Sequence, residues 1–283
     1  MIRLHDEPSG KGPAENSPRA LLQSIERHLS QASRITDKKA QAAQQLVYDA
    51  WEAATDEDQQ ALIQQALEID PTNVDALLQT AVYSGVDGEE EIELLRKIVA
   101  VGEKSLGPKA FKEFAGAFWG FIETRPYMRA RERLAEALRV AGRLNEAAAE
   151  YQAMLELNPG DNQGVRYSLL PCLLMLNRLD EARRLFEKYG QEFEFNTVFA
   201  WGRVLERFLS GDLKEAVRAL AVARKQNPHM QAYVKGHRQV SQHLPGAYSP
   251  GSKEEAICFA DVLRAAWEKH PTALKWLDTQ KVK

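Results

Sequence analysis

The sequence predicts an all-α protein, an α-solenoid of stacked helix–turn–helix units closed by a C-terminal capping helix. Three observations carry this expectation. Apolar residues recur every three or four positions along most of the 283 residues, the period of a helix with one buried face. No segment alternates β-branched and polar residues as a half-buried strand does. Three stretches of the second half, RVAGRLNEAAAEYQAMLELNP, LLMLNRLDEARRLFEKYG and RFLSGDLKEAVRALAVARKQNP, superimpose when shifted by about one helical hairpin, the spacing of stacked repeats.

The opening MIRLHDEPSGKGPAEN is rich in Gly, Pro and charge, so residues 1–17 are expected as a flexible tail. Ser17 then serves as an N-cap with Pro18 at the first helical position, and Leu21, Leu22, Ile25 and Leu29 follow at helical spacing. Residues 40–107 hold degenerate helical pairs. The first carries Gln59 where a small residue is expected, and the second turns at Gly85 to Gly88. Pro108 opens a helix on which Phe111, Phe114, Ala115, Phe118, Trp119 and Ile122 share one face, the pattern of a core stripe.

The clearest units are 128–161, 163–196 and 197–230. In them Gly142, Asn177 and Gly211 fall at one turn, followed by Leu144, Leu179 and Leu213, then by Ala147, Ala182 and Ala216. Tyr151, Phe186 and Leu220 complete the series, and Pro159 and Pro228 close the first and third units. Between two units, LNPGDNQGVRY (157–167) is expected as a turn, with Gly160 and Asp161 at the bend and Asn162 as N-cap. Pro171 lies inside the next helix, where it should kink the helix or leave a carbonyl free. Ser252 and Glu255 form a capping box that opens the terminal cap, 252–278, with Ile257, Val262, Leu263, Ala266 and Trp267 on its apolar face. No Gly/Ser-rich linker interrupts 18–281, which is expected as one solenoid.

These anchors resemble the tetratricopeptide repeat, a helix–turn–helix unit of about 34 residues. Ala147, Ala182 and Ala216 match its small second-helix residue, Tyr151 and Phe186 its aromatic, and Pro159 and Pro228 its closing proline. Leu134, Leu138, Leu169 and Leu173 match first-helix apolar positions. The chain departs from the motif in lacking its opening Trp, in placing Leu170 where the first unit has the small Ala135, and in placing Arg203 where Leu is usual. The combination of ETRPYMRAR, LNPGDNQGVRY, NPH and YSPGSKEEA is similar to that of a group of bacterial tetratricopeptide-repeat proteins and brings no catalytic residue with it.

The resemblance implies a non-catalytic scaffold or adaptor that holds a protein or peptide partner in the groove lined by the first helices. Projected onto that groove are Arg129, Glu132, Glu136 and Arg139, then Tyr167, Leu174 and Met175, then Trp201, Leu205 and Phe208. Arg166 stands at its edge. The candidate partner-binding set is therefore Arg129, Glu132, Glu136, Arg139, Arg166, Tyr167, Trp201 and Phe208. A charged end passes into an aromatic end, which suits a peptide with a charged group beside a hydrophobic anchor. Trp201 and Phe208 could equally pack against the C-terminal helices. The Lys and Asn clamp by which chaperone-binding members hold a terminal carboxylate is not found.

Net charge is −3 and the pI is about 6.1, so no general field attracts nucleic acid. Apolar runs are only a few residues long, far short of a membrane span. No charged segment followed by an apolar one opens the chain. The expectation is a cytoplasmic protein with neither nucleic acid nor membrane as partner. Cys172 and Cys258 lie in helical patterns and read as buried hydrophobes. Arg125, Arg129, Arg131 and Arg133 form either a salt-bridged face or a site for phosphate or an acidic peptide.

His237 and His243, with Cys258 or Asp261, could be imagined as ligands or a catalytic pair, although their spacing matches no metal motif. The 237–252 loop is thus the alternative site, for an enzyme or a sensor of a small ligand or metal. Neither GxxxxGK[ST] nor GxSxG occurs, and the acidic runs TDEDQQ and GEEEIE fit helix N-termini. No cofactor, metal or catalytic residue is assigned. Trp267, Leu274 and Trp276 cover the last repeat or else form a homodimer surface through the C-terminal helices.

Overall fold

The computed structural model describes residues 37–191, 195–240 and 244–280. Among them are thirteen α-helices, two short 3₁₀ turns and no strand, with helices paired to their neighbours in sequence. The protein is all-α. The expected tail 1–17 and the helix expected from Ser17 lie outside the described residues. The chain divides between Ala137 and Leu138 into two compact units.

The first unit contains α1 (Asp37–Trp51), α2 (Asp56–Ile69), α3 (Val74–Tyr83), α4 (Gly88–Glu113) and most of α5 (Arg125–Val140). Ala43, Val47, Ala50, Ile63, Ala66 and Ala76 form a buried core, which small side chains permit by letting helix backbones approach closely. Thr55 and Asn73 cap α2 and α3 by accepting from the backbone N–H groups of Asp58 and Ala76, replacing bonds that a helix start cannot make internally. Gln59, at the position expected to be small, donates to the Ala50 carbonyl at 3.0 Å and accepts from the Tyr83 hydroxyl. Its amide ties three helices together, which explains the departure.

The helix expected over 108–122 is not continuous. Gly107 takes a left-handed conformation inside α4 (φ 68°), α4 stops at Glu113, and Gly116 (φ 83°) reverses the chain into 3₁₀ turns at Phe118–Gly120 and Ile122–Thr124. The aromatic stripe folds onto itself instead. Phe114 stacks on Phe121 at 4.1 Å and Phe111 meets Phe118 at 5.2 Å and Tyr127 edge-on at 5.3 Å, while Ile122 is 60% exposed.

The second unit continues with α6 (Leu144–Leu157), α7 (Arg166–Met175), α8 (Leu179–Lys188), α9 (Thr197–Leu209), α10 (Leu213–Gln226), α11 (Met230–Val234), α12 (Lys253–Glu268) and α13 (Pro271–Thr279). The aligned turns share one geometry. Gly142, Asn177 and Gly211 have φ of 75°, 56° and 80°, the left-handed conformation that ends helices and that Gly, or next best Asn, adopts. Each is followed by a residue whose N–H reaches back five positions: Arg143 to Leu138, Arg178 to Leu173 and Asp212 to Arg207. A second helix then opens at Leu144, Leu179 or Leu213. Ala147, Ala182 and Ala216 are fully buried, with Tyr151, Phe186 and Leu220 beside them in the core.

Residues 157–167 form the expected turn, but Asp161, not Asn162, caps it. Asp161 takes φ 46°, and its carboxylate accepts from the backbone N–H of Val165 at 2.9 Å and of Arg166 at 3.0 Å. Asn162 accepts from the Asn158 amide at 3.2 Å. α7 runs on through Pro171, which has no N–H to offer the Tyr167 carbonyl.

Candidate interaction surface

The first helices of the second unit were expected to line an open groove. Their inner face is instead covered by the chain's own C-terminal helices. α12 packs on α7 and α9, with Ala256, Ala260, Leu263, Ala266 and Trp267 all fully buried. Three alanines let the backbones approach, and the two large residues fill the space between.

Five of the projected positions, all in the second unit, meet residues of α12 and α13. Asp261 lies 3.5 Å from Arg139, whose side chain is 10% exposed. Phe259 meets Tyr167 edge-on at 5.7 Å, and Tyr248 covers Phe259 from the loop at 5.6 Å. His270 Nε2 lies 2.8 Å from the Leu174 carbonyl. Trp267 meets Trp201 edge-on at 6.3 Å and Trp276 lies on Phe208 at 5.2 Å. Trp201 is fully buried and offers no surface to a partner. Of the apolar residues on the C-terminal helices, Trp267 is fully buried, while Leu274 and Trp276 are half-buried.

One buried carboxylate fastens this arrangement. Glu255 accepts from the backbone N–H of Thr197 at 3.0 Å and of Gly251 at 2.7 Å, from Gln226 Nε2 at 3.0 Å and from Asn227 Nδ2 at 2.9 Å. The capping box is half as expected: Ser252 accepts from the Glu255 N–H at 3.1 Å, while the Glu255 side chain reaches three other segments. Sequence spacing pointed to the local half only.

A second buried carboxylate explains Arg203. Glu206 bonds Arg183 Nε at 2.8 Å and lies 3.3 Å from Arg203 and 3.4 Å from Arg207, and Arg203 also covers the Phe186 ring at 5.2 Å. Burial holds the Arg203 guanidinium below its ordinary pKa, whereas the bond to Glu206 raises that of Arg183.

Arg166 pairs with Asp161 at 2.8 Å and lies over the rings of Tyr167, at 4.3 Å, and of Tyr189 at the far end of the same hairpin, at 5.3 Å. Tyr189 donates to the Pro159 carbonyl at 2.9 Å. Burial pushes its phenol up to about 12, with Asp161 adding to the rise and Arg166 opposing it. The polar excess of LNPGDNQGVRY thus joins consecutive hairpins.

In the first unit the arginine concentration resolves into separate pairs. Arg129 grips the buried Asp75 through two bonds of 2.8 and 2.5 Å and lies over Trp51. Arg133 reaches Glu91 at 2.6 Å, Arg131 covers Tyr127 and Arg125 covers Trp119. Glu132 and Glu136 are half-buried on α5. A cleft of about 700 Å³ is lined by Gln44, Asn73, Gly102, Ile122 and Tyr127 among others. Two of its amides are committed, since Gln44 bonds Asp75 and Asn73, and Asn73 caps α3.

His237 is exposed, and His243 lies outside the described residues. Among the described residues no group of three or more His, Cys, Asp or Glu is placed to hold a metal ion, and no helix is long and apolar enough to cross a membrane. Cys172 and Cys258 form no disulfide. Burial, followed by the charges of Glu254 and Glu255, raises the pKa of Cys258.

A surface absent from the expected set lies on α10. Leu213, Val217 and Val222 are 49%, 47% and 46% exposed, and Lys214, Arg218, Ala221 and Lys225 are exposed with them. Its signal was an apolar arc wider than the Ala216, Leu220 and Ala223 stripe needs for burial.

Comparison with known proteins agrees with this geometry. The tetratricopeptide repeat family matches residues 138–196, which span the turns at Gly142 and Asn177 and the buried Ala147 and Ala182. No curated protein matches the chain. Residues 138–196 are a tetratricopeptide-repeat segment.

Proposed function

We propose that the protein is a non-catalytic scaffold that binds a protein partner. Tetratricopeptide repeats generally mediate protein–protein interactions, and the repeat segment at 138–196 is the observation that carries the reading. The inner face of α7 and α9 holds α12, and Arg139, Tyr167, Trp201 and Phe208 each have a neighbour from the C-terminal segment. Arg129 and Arg166 hold carboxylates of their own units. The reading therefore assigns those side chains to the scaffold's framework and assigns partner contact to outward helix faces.

Affinity capture of the intact chain from the cells that make it, followed by cross-linking mass spectrometry, tests this. The expected result is a retained protein whose cross-links fall on the outward helices α6, α8 and α10. Recovery of the bare chain carrying only a small-molecule adduct in native mass spectrometry would favour a ligand sensor and contradict the scaffold.

A further inference from the structure

We propose that the outward face of α10 docks an acidic amphipathic helix of a partner protein. The inference rests on the scaffold reading and names the surface and the chemistry it would recognise.

α10 buries Ala216, Leu220 and Ala223, a narrow stripe facing α9, the one helix against which it packs extensively. Bordering that stripe, Leu213, Val217 and Ala221 follow at i, i+4 and i+8, forming an exposed apolar ridge along the helix. Beside the ridge runs a cationic row, Lys214, Arg218 and Lys225, with the exposed Val222 on its far flank. The helix contains one carboxylate, Glu215, which is half-buried and paired with Arg218.

Cations thus outnumber the single carboxylate of the helix, and the apolar groups are collinear. A partner helix with apolar residues at i, i+4 and i+7 would bury the ridge, and Asp or Glu flanking them would meet the cations. A basic helix would bring like charges together, and an uncharged one would leave the cationic row without a counterpart. The chain's own acidic segments TDEDQQ and GEEEIE supply acid without an adjacent exposed apolar ridge of this length, so the occupant is assigned to another protein.

The test uses the full chain and a fluorescein-labelled helical peptide of roughly 18 residues with Leu at the apolar positions and Glu between them. Fluorescence anisotropy should show saturable binding. The double variant Val217→Asp, Arg218→Glu should weaken it at least about tenfold, as should replacing every Glu of the peptide by Lys. Raising salt from about 50 to about 300 mM should weaken it further by screening the charges. Both substituted positions are exposed, and circular dichroism should show the variant folded.

No binding, equal binding by the double variant, or equal binding of the Lys peptide would overturn the proposal. So would sedimentation showing a dimer that the double variant dissolves, which would make the face a contact between copies. So would binding to phosphatidylserine vesicles without binding to the peptide. A captured partner retained equally by the double variant would leave the scaffold reading standing and remove its assignment to α10. Failure of the wild-type chain to retain any partner would remove the scaffold reading itself.

Discussion

Replacing Glu255 with alanine is expected to destabilise the second unit by about 3–5 kcal/mol. The carboxylate is fully buried and satisfies the N–H groups of Thr197 and Gly251 together with the Gln226 and Asn227 amides. These donors start α9, end α10 and open α12, so one side chain fixes where the terminal helices meet the last repeat. Alanine would leave several donors without an acceptor in a space that water does not reach, each costing roughly 1–3 kcal/mol.

Chemical denaturation monitored by far-ultraviolet circular dichroism should resolve the change. The thermal midpoint should fall by roughly 10 °C for a unit of this size. Glu255→Gln should fall between wild type and alanine, because it keeps one acceptor oxygen and turns the other position into a donor facing donors. A cost below about 1 kcal/mol for alanine would mean that the junction is held by other contacts.

Trp267→Ala is the second large effect, with an expected loss of about 3–5 kcal/mol for a fully buried indole. Its removal would open a void beside Trp201, and the emission of Trp201 should shift to longer wavelength as water enters. Trp267→Phe should cost well under half as much. The indole N–H of Trp267 is buried with no hydrogen-bond partner, so phenylalanine deletes an unsatisfied donor while keeping most of the apolar contact and an edge-on ring against Trp201. Equal losses for the alanine and phenylalanine variants would mean that the indole N–H makes a stabilising hydrogen bond, contrary to its unpartnered state in this structure.

Local chemistry was legible in the sequence and long-range occupancy was not. Gly142, Asn177 and Gly211 could be aligned because a left-handed turn restricts the residue that occupies it. Ala147, Ala182 and Ala216 could be aligned because close helix packing demands a small side chain. The helix expected over 108–122 failed because a 3.6-residue period describes where apolar residues would fall if the backbone continued. Gly107 and Gly116 allow it to turn instead, and the aromatic cluster gains more by closing on itself. Asp161 and Asn162 are both good caps by type, and only the backbone decides between them.

Arg139, Tyr167, Leu174, Trp201 and Phe208 each meet a residue of one elongated element. That element is the chain's own C-terminus, far along the sequence from the helices it covers. Helical periodicity identifies a face, and it carries no information about what fills it. The face left over, on α10, was hidden in the repeat pattern itself, because Leu213 was counted as an anchor of the repeat when half of its surface is open.

Hydrogen–deuterium exchange of the intact protein tests the central claim, that α12 is a built-in occupant of the inner face of α7 and α9. The account predicts that amides of 253–268 exchange as slowly as those of α7 and α9, within about tenfold, because all three open only when the unit unfolds. Exchange in α12 on the order of a thousandfold faster than in α7 and α9 would contradict it, showing a helix that leaves the face readily and a groove that stands open to partners.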